Sequence, residues 1–215
     1  MSRRHVIISV GAAWAAAILQ AADGTWSNSG GGDWSVAGNW ASDTPASGSG
    51  STAFFTTGSG TVNNDVTDLA LLGVQLSGAG FTLAGNTLTL DSAGFITVLG
   101  GSHAVNLPLA LSGGTTLAVA SGQTLTLGGA LSGVGGLTVY GGRVVLGNAA
   151  NAYQGATIHK TGILEVASVD ALGDSAADSA NLVLGEGTFR YTGPSATLER
   201  GYTLLPGASS NRAAV

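Results

Sequence analysis

The stretch TTLAVASGQTLTLGGALSGVGGLTVYGGRVVLG, residues 115–147, decides the fold. Leu, Val and Ile alternate with Thr in short runs, and each run closes on Gly, Ser or Asn. Alternation with period two puts the apolar side chains on one face of a strand. Gly at the ends lets the chain turn sharply, because it accepts positive φ at no steric cost. The same beat occurs upstream in FTLAGNTLTL, residues 81–90, and downstream in TGILEVAS, residues 161–168. No such strand can bury its apolar face alone, whereas strands stacked in register can, so the recurrence predicts a solenoid. The closest internal match aligns AGNTLTL with SGQTLTL and sets Leu88 and Leu90 against Leu125 and Leu127.

Composition agrees. Gly makes up 36 of the 215 residues, more than twice the usual share of about 7%. Charged residues are 9% and apolar residues 44%; disordered chains have the reverse balance. With no cysteine, disulfides, thiol catalysis and thiolate metal sites are excluded. The net charge of −5 offers no basic footprint for nucleic acid.

The chain is expected to divide into three parts. Residues 1–22 read as a secretory signal peptide. Arg3, Arg4 and His5 precede an apolar run from Val6 to Leu19, and a cut is expected after Ala21 or Ala22. Its removal takes the charge from −5 to −7, through loss of Arg3 and Arg4. Residues 23–57 hold Trp26, Trp34 and Trp40 and are expected to cap the solenoid. Residues 58–215 carry the short strands. A polar gap between Ala167 and Asn181 predicts a protruding loop with at most one helical turn. No recognisable cap follows the last strand at Tyr202 to Leu205, so a solenoid that is truncated or continues is expected there.

Residues 129–173, GALSGVGGLTVYGGRVVLGNAANAYQGATIHKTGILEVASVDALG, resemble the passenger-associated transport repeat, also called the autotransporter-associated β-strand repeat. Ser132, Gly133, Gly135, Gly136, Leu137 and Thr138 match the opening of that pattern. Gly142, Val144 and Leu146 match its first strand, and Asn151, Tyr153, Gly155 and Thr157 its turn. Gly162, Leu164 and Val166 match the second strand, and Ala171, Leu172 and Gly173 the end. Tyr140 and Arg143 depart from it, at positions expected to face outward. The order Trp26, Trp34, Asn39-Trp40, Pro45, Gly50, Phe54 is similar to the start of many members. The resemblance implies an all-β right-handed parallel β-helix, in a passenger secreted or held on the outer surface of a bacterial cell. Many members continue into an outer-membrane β-barrel, and no barrel segment is expected within these residues. Membrane contact is therefore expected only through the signal peptide or such a downstream barrel.

Independently of that resemblance, coils of about 20–25 residues stacked every ~4.8 Å predict six or seven turns between Gly60 and Leu205, a rod near 30 Å long. No catalytic, cofactor or metal residues are expected. His103, in a Gly-Gly-Ser-His turn, and His159, beside Lys160, read as solvated surface residues. Asp65 and Asp68, Asp170, Asp174 and Asp178, and the outward Glu165 and Glu186 read as turn and solubility residues. The most plausible accidental acid pair sets Asp65 or Asp68 beside Asp91 on a neighbouring coil. The tryptophans read as a buried end cap rather than a sugar-stacking platform. The function expected is a non-catalytic stalk or adhesin-like passenger whose partners are extracellular glycans or cell-surface components. The alternative is a carbohydrate-binding or carbohydrate-active β-helix acting on extracellular polysaccharide.

Overall fold

A computed structural model describes residues 21–174, 179–198 and 201–206. Almost all of the expected signal peptide therefore lies outside the described residues, as do Asp178 and the last nine positions. Within the described residues the chain is all-β, with helix limited to short 3-10 turns. The strands are β1 (Gly24–Thr25), β2 (Gly31–Asp33), β3 (Thr52–Phe55), β4 (Ser59–Asn64), β5 (Leu69–Leu76) and β6 (Gly80–Gly85). β7 (Leu88–Val98), β8 (His103–Val105), β9 (Leu109–Leu111), β10 (Thr115–Val119), β11 (Thr124–Leu127) and β12 (Leu131–Ser132) follow. β13 (Leu137–Tyr140), β14 (Arg143–Leu146), β15 (Thr157–Val166), β16 (Leu182–Tyr191) and β17 (Thr203–Leu204) complete the order. Every pairing between them is parallel, and each strand pairs with one a coil away.

The pairings wind the chain around three faces. On the first, the inward positions Gly24, Ala53, Val74, Ile96, Leu117, Val139, His159, Leu184 and Leu204 form one continuous register. Beyond Ala53 the steps are 21, 22, 21, 22, 20, 25 and 20 residues. Nine rungs at the parallel-strand spacing make a rod about 40 Å long. The second face stacks Val62, Leu83, Val105, Leu127, Leu146 and Val166. The third stacks Leu69, Leu88, Leu109 and Leu131. From Ala53 to His159 on the first face, and throughout the other two, these side chains are buried, while Leu184 is half-buried and Leu204 exposed at the last rungs; the Thr and Ala between them are only half covered. The alternation read in the sequence is thus the inside–outside alternation of the coils. Backbone groups are satisfied between coils, and this allows so glycine-rich a chain to hold a fixed shape.

The two irregular steps have local causes. The 25-residue step contains the polar gap, which holds 3-10 turns at Val169–Leu172 and Ser179–Asn181. Ser168 caps the first of these by accepting from the Asp170 amide at 3.2 Å. The 29-residue step from Gly24 to Ala53 contains the tryptophan segment. Antiparallel bridges Ala22–Ser47 and Trp26–Trp40 fold that segment back over the first coil.

Trp26, Trp34 and Trp40 are all buried there, with Trp40 edge-on to Trp26 at 5.0 Å and to Trp34 at 4.9 Å. Phe55 of the next coil lies within 5.9 Å of each indole and 5.3 Å from Phe81 of the coil after that. The indole N–H groups donate to the carbonyls of Asn28, Ala46 and Trp34 respectively. Burial of these large rings is therefore not offset by orphaned donors. Asn39 fixes the turn before Trp40, since its amide donates to the Asp33 carbonyl at 2.8 Å and accepts from Asn28 at 2.7 Å.

One expectation about the repeat fails. Leu88 registers with Leu109 on the third face, whereas Leu125 registers with His103 and Val144 on the second. The matching Thr-Leu-Thr-Leu runs occupy different faces, because any short inward–outward strand satisfies the same pattern. Coil period, not local similarity, assigns the face. Among the described residues no helix is long and apolar enough to cross a membrane.

Two substitutions test the register. Leu127→Asp places a carboxylate at a buried position and should unfold the chain, a cost of several kcal/mol. Thr126→Asp, one residue away and half covered, should cost no more than about 1 kcal/mol. Thermal melting followed by circular dichroism separates the two; equal effects would mean that the register is wrong. Trp40→Ala should lower stability by about 3–5 kcal/mol, read in the same experiment.

Candidate functional site

The residues of the repeat pattern gather at the coil edges that follow the third and first faces, where they hold backbone to backbone. Asn151 is buried between three coils. Its side chain accepts from the Leu131 amide at 2.9 Å and donates to the Ala171 carbonyl at 2.8 Å. Tyr153, also buried, shares a 2.6 Å hydrogen bond with the Thr157 hydroxyl. Gly135, Gly136 and Gly155 lie where coils touch so closely that a Cβ would overlap backbone of the adjacent coil. Gly162 turns the corner between the first and second faces at φ +83°. Leu137, Leu164 and Val166 point into the core. Trp26, Trp34 and Trp40 present no face to solvent, so they offer no stacking platform.

Both histidines depart from the expected surface positions. Counting back from Leu164 and Val166 in steps of two puts His159 outside. The corner at Gly162 resets that parity, and His159 comes to lie fully buried between Val139 and Leu184. His103 opens β8 rather than sitting in a turn, and it too is inside. Its Nδ1 accepts from the Phe81 amide at 3.0 Å, and its Nε2 lies 2.8 Å from the Gly100 carbonyl. That pattern requires the neutral Nε2–H tautomer. Burial holds both rings below the ordinary imidazole value of 6.5. Ser102 is occupied as well, accepting from the Thr124 amide at 3.2 Å. The pair therefore has no geometry for nucleophilic chemistry.

The carboxylates tie neighbouring turns. Asp65 accepts from the Ser35 amide at 2.9 Å and the Ser35 hydroxyl at 2.5 Å, and this bonding holds it below the usual carboxylate value. Asp91 accepts from Ser49 at 2.8 Å and the Gly50 amide at 2.7 Å. Asp23 accepts from the Thr52 amide, and Asp33 from the Asn63 side chain. Asp68 occupies a left-handed turn position at φ 55°, which Asp tolerates better than most residues. Asp68 precedes the third-face strand and Asp91 follows its neighbour, so the two stand about 13 Å apart along the ladder. The accidental pair is not formed. Among the described residues no three His, Asp or Glu side chains converge as a metal site would require.

One charged cluster was not legible from local motifs. Glu165, expected on the outside, does face outward but is covered. Arg143 of the preceding coil reaches its carboxylate at 2.6 Å and Arg190 of the following coil at 3.3 Å. Arg143 leads in holding Glu165 below the usual range, against the opposing effect of burial, and Arg190 adds to it. The three residues are 22 and 25 positions apart, one coil each way, so the coil period was the only sequence signal. Asn64 is a second such case. It is buried at a corner, donating to the Asn86 carbonyl at 3.0 Å and accepting from the Val66 amide at 3.1 Å. Positions 23–142 contain six aspartates and neither Lys nor Arg. The described cations Arg143, Lys160 and Arg190 therefore all belong to the last coils.

Two outcomes follow. Asn151→Ala leaves a buried amide and a buried carbonyl without their partners, and should cost about 2 kcal/mol in a chemical denaturation curve. Glu165→Gln should cost about 1 kcal/mol at neutral pH, because both arginines remain partly exposed. A carboxylate with a depressed folded-state pKa contributes fully above its unfolded value of 4.5. That contribution is lost as pH falls through the folded value. The wild-type advantage over Glu165→Gln should therefore be constant from pH 7 to 5 and shrink below 4.5.

The chain is 32% identical over 202 aligned residues to the adhesin BmaC autotransporter of Brucella suis biovar 1 (strain 1330). The match takes in 80% of this chain and 5% of that adhesin, so the chain spans about a twentieth of the relative's length. No family model matches the chain, and no solved structure matches it. The chain is thus similar, over most of its own length, to a small part of an autotransporter adhesin, and its fold is a parallel β-solenoid.

Proposed function

We propose that this chain is a structural passenger, a β-solenoid stalk from a secreted or surface-displayed adhesin-like protein, with no catalysis of its own. The observation that carries the reading is where the chemistry-bearing side chains go. The histidines fill the core, and Asp23, Asp33, Asp65 and Asp91 tie turns. Glu165 clamps three coils. What remains outside is largely Thr, Ser, Ala and Gly on a stiff rod. Similarity to an autotransporter adhesin supports the same reading, as does the resemblance to the autotransporter-associated β-strand repeat. On this proposal residues 1–22 direct export and are removed, and the rod holds its loops away from the cell toward glycans or other cell-surface components.

The mechanism is geometric. Each coil is fixed by the one before it, so the rod transmits position rather than performing a reaction. Edges are protected laterally because strands within the stack are paired on both sides, and β12, which pairs only with β9, is closed on its other side by the Asn151 side chain and the Ala152 amide. The tryptophan layer closes one of those ends.

Protease treatment of intact cells that express the full protein tests the location. The chain should be reached by an antibody, and trimmed by protease, without cell lysis; full protection until lysis would contradict display. The catalytic half is tested with the purified chain. It should release no reducing ends from neutral or acidic polysaccharides, with or without calcium. Turnover that vanishes in Asp68→Asn or Asp91→Asn would establish a carbohydrate-active enzyme instead.

A further inference from the structure

We infer that His159 makes the coils formed by β15 and β16 an acid-sensitive unit: taking up a proton at this buried ring drives β16 off β15, while the coils before β13 stay closed. The observation is an orphaned side chain. His159 is fully buried, and neither Nδ1 nor Nε2 has a hydrogen-bond partner. Its neighbours in the inward register are Val139 on one side and Leu184 on the other. The ring is tucked beneath the next coil at Gly187, where a Cβ would overlap it. Nothing larger than glycine fits there while the imidazole is in place, so the ring and β16 close on each other.

A neutral imidazole is tolerated in such a site, whereas an imidazolium with no counter-charge is not. The strands and turn packed on β15 supply none. Glu165 of β15 is taken by Arg143 of β14 and Arg190 of β16. Glu186 of β16 is exposed and Lys160 of β15 lies on the outer side of its strand. Asp170 of the following turn is exposed and bonded to Ser168. Tyr140 of β13 is exposed, and the Tyr153 hydroxyl is bonded to Thr157. Tyr191 of β16 donates to the Pro194 carbonyl. Backbone of Thr161 and Gly162 near the ring favours its charged form but completes no hydrogen bond, and burial outweighs it.

The direction follows from linkage. A base whose folded-state pKa lies below its unfolded value of 6.5 contributes its full stability above that value. It loses stability as pH falls from there toward the folded value. Opening relieves the conflict at the least cost on the β16 side. Among the described residues β16 is paired beyond β15 only with the two residues of β17, and Leu184 and Phe189 are only partly buried. His103 differs on both counts. Its nitrogens are bonded, and β8 lies mid-stack between β6 and β11.

Amide hydrogen exchange with mass spectrometry on the full chain, at pH 7.5 and pH 5.0 and corrected for intrinsic rates, tests this. Glu165 stays ionised at both values, so its clamp does not confound the result. Peptides of β15 and β16 should lose about tenfold or more in protection at pH 5.0, and should exchange faster there than those of β5 and β7, whose own coil carries the buried His103. His159→Leu should abolish the loss in β15 and β16. Equal protection of β15 and β16 at both pH values, exchange of β5 and β7 as fast as theirs at pH 5.0, or a β15 and β16 loss that persists in His159→Leu would overturn the inference. If His159→Leu does not fold, deuterium exchange at the imidazole C2 position of the wild type decides. A slow-exchanging His159 with a pKa below 6.5 supports the inference, and a pKa at or above 6.5 overturns it.

Discussion

A parallel solenoid depends on one constraint: the chain must come back to the same register after each circuit, so that every inward side chain lands on the one before it. Here the return is kept for the length of the described structure, from Gly24 to Leu204. Coil-to-coil hydrogen bonding and apolar stacking are two consequences of that return. Neither survives without the other, because a slip of one residue turns the whole inward set outward. The glycines serve this constraint. Where coils approach backbone to backbone, as at Gly135 and Gly155, no side chain fits. Where the chain turns a corner, as at Gly162, a positive φ is needed.

Extra residues are tolerated only where they leave the register untouched. The tryptophan segment and the residues between Val166 and Leu182 both lengthen a coil, and in both cases the next strand resumes on the correct face. The first insertion closes an end. Three indoles and Phe55 replace the aliphatic stack that a further coil would have provided. From there an aromatic column runs through Phe81 to His103, which is stacked on Phe81 at 6.1 Å. His103 thus continues the core as a flat ring while supplying an acceptor to the Phe81 amide.

Much of this was legible in the sequence. Period-two alternation closed by glycine identified the strands, and its repetition identified the solenoid. The tryptophan spacing pointed to a cap. What escaped was whatever depends on the path around a corner. His159 lies on the opposite side from the one its sequence predicts, because strand parity does not carry across Gly162. Leu88 and Leu125 share a local pattern but not a face, because local likeness does not name a face. The Arg143–Glu165–Arg190 clamp is invisible until the coil length is known, since its members are far apart in sequence and adjacent only after stacking. Asn151 stood out as a motif residue, but its bridging of three coils is a property of the stack.

The functional reading rests on this stacking, and an engineered cross-link tests the stacking directly. The natural chain has no cysteine to interfere. Thr116 and Thr138 are outward partners in the register of the first face, at a Cα separation of about 5 Å that suits a disulfide. The double variant Thr116→Cys, Thr138→Cys should oxidise readily in the folded state, with its melting temperature unchanged or raised. The pair Thr116→Cys, Thr126→Cys, which places thiols on the first and second faces of one coil, should stay reduced. A native chain in which the first pair stays reduced and the second links would contradict the coil register on which the account is built.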